Sequence, residues 1–410
     1  MSRRPVWVAA ALVVVAVLGG AAPASASVTD AVRDSQYWLD DYGIRDAWSV
    51  TRGAGVTIAV IDTGVGSPPE LNGVVVGGTD VSGRGSSDGR TPVGSDSEHG
   101  TLVASLAAGR GTGEGAGVIG SAPEASVLAI SIGFDTGDSD SQIADAVRWA
   151  VDNGADVINM SLTRNTLDWP TSWDDAFTYA AEHDVVVLAA AGNRGSGTAE
   201  VGAPATMPGV LTVAGVDRDG QTSRRASAQG VTIGVSAPSE GLVGAMPDGT
   251  HVRWSGTSGA TPIVAGVVAL VIAAHPELDA ANVINRLTAT ARDVGDAGAD
   301  VSYGYGLLDA YAAVTADVPT VEENPMGDLA EWIRVNRPHD AEGDAFEAGP
   351  APVDDAEPGR TFDPVGVLVP SPMMLSQVGA PLLGMLLVVF VIGGTITGAV
   401  IAVRGASRRR

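Results

Sequence analysis

No cysteine occurs in this chain, so no disulfide staples the fold, and stability has to come from burial. Lysine is absent too: all 24 basic residues are arginines, a bias that reflects codon usage more than function. Basic charge is scarce, with 48 acidic residues setting a formal net charge of -24. Removing Arg3, Arg4 and the tail arginines Arg404, Arg408, Arg409 and Arg410 leaves -30 for the remainder, which argues against nucleic-acid binding. The acidity itself fits a soluble outward-facing protein, including one in a salty habitat. No internal repeat is evident, and no compact carboxylate cluster stands out. The stretch from Asp135 to Asp140 is acidic but reads equally well as a solvated loop.

What is present begins with Gly256-Thr257-Ser258-Gly259-Ala260-Thr261-Pro262, a glycine-flanked serine at the mouth of a long apolar run. Two roles fit Ser258. It can cap the helix, since serine is favoured at the N-cap and proline in the first turn. It can also be a nucleophile, because N–H groups at a helix start stabilise the oxyanion of a tetrahedral intermediate. The second role needs a base and an orienting group.

Histidine is limited to five positions, so the search for a base is short. His183 and His275 sit at expected helix ends, and His251 and His339 lie in polar, loop-like contexts. His99 is followed by Gly100-Thr101 and a helix-like stretch from Leu102 to Ala108, although a plain helix-start role also fits it. An orienting carboxylate is available in Asp62. It follows Val56-Thr57-Ile58-Ala59-Val60-Ile61, a β-branched run typical of a strand buried in a parallel sheet. Gly64 closes the strand, which puts Asp62 at the carboxyl edge where α/β sheets bind ligands. Aspartate is also a common turn former. The order Asp62, His99, Ser258 decides between these roles, because it is one of the three convergent chain orders of the serine triad.

These residues resemble the subtilisin-like serine protease family. Val60-Ile61-Asp62-Thr63-Gly64-Val65 is similar to its aspartate motif, His99-Gly100-Thr101 to its histidine motif, and Gly256-Thr257-Ser258 with Ala260-Thr261-Pro262 to its serine motif. Ala189-Ala190-Ala191-Gly192-Asn193 resembles the oxyanion segment, and Tyr303 to Ala310 the closing segment, so the likeness runs from about Trp48 to about Val314. The resemblance implies a serine endopeptidase in which His99 is the base, Asp62 its orienter and Asn193 an oxyanion donor, although Asn193 also suits a turn after the strand Val185 to Leu188. It implies that Ser161-Leu162-Thr163 pairs with the substrate backbone and that Ala190, Ala191 and Gly192 wall the specificity pocket. No cofactor is required. Structural calcium is common in relatives, but no ligand set can be assigned here.

Three departures from the family pattern bear on specificity and efficiency. Gly259 stands where a larger residue usually follows the nucleophile, which removes a packing side chain and loosens the helix start. Thr163-Arg164 replaces two glycines, so a narrower cleft edge carrying positive charge is expected. Leu102 and Ser105 replace other residues common after the histidine motif.

The fold class expected is α/β, a mostly parallel sheet with helices on both faces, from strand-like runs at 56–61, 127–132, 156–160, 185–190 and 210–214. Helices are expected over Ser141–Asn153 and Ser172–Asp184, with Ser258–His275, apolar all round, as the central buried one. About 270 residues from 48 to 316 suffice for one core without staples.

The ends suggest a location. Arg3-Arg4, the apolar stretch Val6 to Leu18 and Ala24-Ser25-Ala26 read as a signal peptide over 1–26. A short extension follows at 27–47, in which Gln36 to Ile44 wraps the domain. Residues 317–377 carry 13 acidic and 3 basic residues with many prolines, the composition of an extended tether. Within it, Asp328 to Arg334 has helical spacing and suits a solvated helix better than a docked one. Residues 378–403 are uncharged, and at 1.5 Å per residue would span about 39 Å, enough for a hydrocarbon core of ~30 Å. The arginines at 404–410 then stay cytoplasmic and the domain faces outward. Extension, tether and single span together resemble the mycosins, membrane-anchored subtilases of actinobacterial type VII secretion, although mycosins usually carry cysteines. That likeness implies a protein or peptide substrate, a membrane and secretion-complex subunits as partners. A general surface-processing or quality-control subtilase and a structural subunit with incidental proteolysis are the other roles such a chain could fill.

Overall fold

The structure, a computed structural model, describes residues 30–134 and 139–337 together with the backbone of Asp363–Pro364. The expected signal peptide, most of the tether, the span at 378–403, the basic tail and His339 lie outside the described residues.

Three short helices come first, α1 (Ala31–Asp34), α2 (Trp38–Asp41) and α3 (Ile44–Ala47). The alternating body follows as β1 (Thr57–Asp62), β2 (Val75–Asp80), α4 (His99–Ala108), β3 (Ser126–Ser131), α5 (Ser139–Asp152), β4 (Val157–Met160), α6 (Thr171–Glu182), β5 (Val186–Ala190), β6 (Leu211–Val216) and β7 (Ile233–Pro238). Then come the hairpin β8 (Leu242–Ala245) and β9 (His251–Trp254), and the helices α7 (Thr257–Ala274), α8 (Ala280–Ala289), α9 (Ala310–Thr315) and α10 (Leu329–Asn336). A two-residue strand, β10 (Asp363–Pro364), pairs antiparallel with β9.

Seven strands form one parallel sheet in the order β2-β3-β1-β4-β5-β6-β7. The α/β class expected from the sequence therefore holds, and all five expected strands are present. Both faces are covered, which is why β1 reads as a continuous apolar run: Ile58 and Val60 enter the core with α4 and α7, Ala59 and Ile61 the core with α5 and α6. The helix α7 is long and apolar enough to cross a membrane, yet it is 83% buried and forms the centre of the first core.

Packing carries the folded body beyond residues 48–316 at both ends. Trp38, Leu39 and Ile44 are fully buried, so the extension wraps the domain, and burying Leu39 and Ile44 stabilises it by roughly 1.5–3 kcal/mol each. At the other end α10 packs on α6 with Leu329 buried, so the solvated helix expected at 328–334 is instead docked.

From β1 the chain runs to the edge strand β2, returns through β3, then crosses β1 and winds outward through β4, β5, β6 and β7, so β1 and β4 flank the point where strand order reverses. In register, Ile61 lies beside Met160 and Met160 beside Ala189. The carboxyl ends of β1, β4 and β5 thus lie side by side, on the edge where such sheets usually bind ligands.

Candidate active site

Asp62, the last residue of β1, is fully buried. Its two oxygens lie 2.8 and 2.9 Å from His99 Nδ1, and Oδ1 also accepts the Thr63 N–H at 2.7 Å. His99 opens α4, and Gly100 lets it do so: a Cβ there would run into the Gly64 carbonyl and lie 3.2 Å from the Asp62 Cβ. Because Nδ1 donates to Asp62, the neutral imidazole carries its lone pair on Nε2. That nitrogen is buried and has no partner among the described residues. Trp254, which the sequence did not single out, sets an edge against the imidazole with ring centroids 5.8 Å apart.

Ser258 is the second residue of α7, and the N-cap position is held by Gly256 without a side-chain cap. The capping role open to Ser258 from sequence is therefore not realised. Its hydroxyl donates to the Ser161 carbonyl at 3.1 Å, and the Ser161 hydroxyl returns a bond to the Ser258 carbonyl at 2.9 Å. Asn159 Nδ2 in turn donates to the Ser161 hydroxyl at 3.0 Å. The reason lies four residues on: Pro262 has no N–H, so the Ser258 carbonyl lacks its helical donor and Ser161 supplies one. Asp62 and His99 are thus in contact, whereas the Ser258 hydroxyl rests on Ser161.

Asn193 follows β5. Its Oδ1 accepts the Thr257 N–H at 2.8 Å and the Thr257 hydroxyl at 3.2 Å, while that hydroxyl accepts the Gly192 N–H at 3.1 Å. With Oδ1 held, no described residue takes the Nδ2 amide. The Ser258 N–H, in the first turn of α7, likewise has no intrahelical partner. Leu162, Ala190 and Ala191 are buried, and Thr163 packs its methyl against Gly192, where a Cβ would lie 3.2 Å away.

Two expectations from sequence need correction. Arg164 puts no charge on the cleft edge: it is buried, paired with Asp140 at 2.7 Å and stacked over Trp173. Gly259 leaves no gap, because Leu242 and Trp254 fill the space a side chain would take. An added Cβ would run into Leu242 Cδ1 and lie 3.3 Å from the Trp254 ring. Gly259→Ala is accordingly predicted to lower stability by about 1–3 kcal/mol, read from the denaturant midpoint, and an unchanged midpoint would refute this account of the packing.

His251, expected in a polar loop, lies in β9 and pairs with the fully buried Glu70 at 2.5 Å. His183 and His275 end α6 and α7, as their sequence contexts suggested. Among the described residues no group of three or more His, Asp or Glu side chains could hold a metal ion.

Comparison with known proteins gives the chain a family. The Peptidase S8 pattern described as the subtilase family matches residues 53–306. Subtilisin E of Bacillus subtilis (strain 168) is 38% identical over 264 residues, a match covering 64% of this chain and 66%, just under two thirds, of that protein. A crystal structure of MycP1 with its N-terminal propeptide removed superposes with a TM-score of 0.61 at 33% identity, covering 70% of this chain and 98% of that one. The MycP3 protease from the type VII (ESX-3) secretion system gives a TM-score of 0.59 at 32% identity, covering 71% of this chain and 89% of that one. Mycosins are thus among its structural neighbours, and with more than half of its residues inside one family pattern, the chain belongs to the subtilase family.

Proposed function

We propose that this protein is a membrane-anchored, outward-facing serine endopeptidase that hydrolyses peptide bonds through Asp62, His99 and Ser258. The observation that supports this most is the buried Asp62–His99 pair, which fixes one imidazole nitrogen and leaves Nε2 unpartnered at the start of α4, the helix that packs against α7. In the reaction the Ser258 hydroxyl leaves the Ser161 carbonyl and gives its proton to His99 Nε2 as Oγ bonds to the substrate carbonyl carbon. Asp62 holds the tautomer and stabilises the imidazolium. The oxyanion takes hydrogen bonds from Asn193 Nδ2 and the Ser258 N–H. The imidazolium then protonates the leaving amine, and water repeats the sequence on the acyl-enzyme.

An extended peptide would add as a strand to Ser161-Leu162-Thr163, with Ala190, Ala191 and Gly192 forming the opposite wall. Anchoring rests on the uncharged stretch 378–403 and the arginines after it. A place in type VII secretion rests on the likeness to MycP1 and MycP3.

A fluorophosphonate probe on the purified protein, with profiling of peptide cleavage, tests the enzyme. Ser258 should label, and a folded protein that does not label would end the proposal. For Asn193→Ala, kcat should fall by roughly 10²–10³ with KM little changed, because the lost donor acts mainly on the transition state. A loss confined to KM would remove Asn193 from the oxyanion site. Copurification with a multi-protein membrane complex tests the secretion role. Comparing secretion from a Ser258→Ala strain with that from a deletion strain separates an enzymatic role, which predicts equal defects, from a structural one.

A further inference from the structure

We infer that Trp332 within α10 and Arg337 at its C-cap are positioning residues for the cleft segment 161–163, acting through the connection 164–170. The inference rests on the reading of 161–163 as the strand that receives substrate.

That connection has no helix or regular strand, so its course depends on discrete contacts. Near the cleft the Arg164 N–H donates to the Ala203 carbonyl at 2.7 Å and the Ala203 N–H to the Thr166 carbonyl at 2.9 Å. In the middle the Thr206 hydroxyl holds the Leu167 carbonyl at 2.7 Å. The far end is held by α10. Trp332 packs its ring on Trp169 with centroids 4.4 Å apart, and the Arg337 guanidinium lies over both rings, 5.7 and 5.4 Å from their centroids.

The same guanidinium donates to the Trp169 carbonyl at 3.2 Å and to both oxygens of Asp174, at 2.8 and 3.2 Å. Asp174 also accepts the Trp169 indole N–H at 2.7 Å. Its side chain is only 10% exposed, so removing Arg337 leaves a carboxylate in a poorly solvated site without its ion-pair partner. The cheapest relief is for Asp174 to turn toward water, which abandons the Trp169 indole and frees the end of the connection.

The chain that leads into α10 is itself well seated. Asp328 caps α10 through the Glu331 N–H at 3.0 Å, the Gly209 N–H reaches the Met326 carbonyl at 3.0 Å, and Asn282 bonds both polar groups of the Val321 backbone at 2.8 and 3.2 Å. The segment that leads from the domain toward residues 338 onward thus ends on the same tryptophan that terminates the cleft connection.

The test uses the full chain in detergent, comparing the parent protein with Arg337→Ala and with Arg337→Lys. The lysine variant keeps the charge but cannot make the paired bonds. It also carries the test should the alanine variant not accumulate, with smaller changes expected in the same direction. In Arg337→Ala, amide hydrogen exchange over 161–169 should quicken on the order of tenfold while β1 and α7 stay unchanged. KM for an extended peptide should rise on the order of tenfold with kcat held within about twofold, and Ser258 labelling should proceed at the parent rate. Unchanged exchange, exchange quickened equally throughout the domain, or local exchange with an unchanged KM would each overturn the inference. Failure of the parent protein to label would sink the protease reading. Normal labelling with any of those three outcomes would sink only the positioning role of Arg337 and Trp332.

Discussion

Ser258→Ala is expected to lower kcat by a factor on the order of 10⁶ and to abolish fluorophosphonate labelling, with the fold intact. The size of the effect follows from what the site would keep. Alanine removes the only atom able to form the acyl-enzyme, while Asn193 and the helix start would still stabilise an oxyanion raised by water, so a residual 10³–10⁴-fold acceleration over the uncatalysed rate is expected. The side chain is small and makes one hydrogen bond, to the Ser161 carbonyl, so little stability is at stake. Adding His99→Ala to Ser258→Ala should cost nothing further in kcat, because a base without its nucleophile has no role. A double variant much slower than either single one would mean that the two act independently, contrary to the mechanism proposed.

Asp62→Asn is expected to reduce kcat on the order of 10⁴-fold while leaving substrate binding nearly intact. The carboxylate accepts the His99 Nδ1 proton and the Thr63 N–H, and it is completely buried. An amide fits the same volume, but to keep the Thr63 bond its oxygen must stay on that side. Its NH₂ then faces Nδ1, which forces the imidazole into the tautomer with a proton on Nε2. A protonated Nε2 cannot take the Ser258 proton. Steady-state kinetics of the variant, with its melting temperature measured in parallel, check this. Activity within about tenfold of the parent protein would show that Asp62 has no part in setting the tautomer.

Much of the fold was legible because burial writes a pattern into the sequence. Strands covered on both faces read as apolar runs, as in Val186–Ala190. The edge strands are harder. Val75–Asp80 is half exposed and contains Gly77-Gly78, and Ile233–Pro238 mixes Gly234 and Ser236 into its length, so neither presents an unbroken run. Asp62, His99 and Ser258 could be picked out because each occupies a local motif at the end of an element. Their supporting contacts could not. Ser161 meets Ser258 across 97 positions, Asn193 meets Thr257 across 64, and Asp174 meets Arg337 across 163. No periodicity encodes such pairs. Gly259 and Arg164 are illegible for a related reason: the neighbours that fill the gap or turn the charge inward, Leu242 and Trp254 of the β8–β9 hairpin and Asp140 of α5, are brought there by the path of the folded chain rather than by any sequence period.

The missing amide of Pro262 sets local and global demands against each other. A residue with an N–H at that position would complete the first turn of α7 and improve the helix taken alone, by the ~3 kcal/mol that separates proline from alanine in a helix interior. The new donor would then compete with the Ser161 hydroxyl for the Ser258 carbonyl. The Ser161 hydroxyl would then keep only the Asn159 amide, and the loop after β4 would lose a fastening to the turn that carries Ser258. At this position the better helix former is the worse neighbour, so a stabilising substitution chosen by helix propensity would loosen the site it was meant to leave alone.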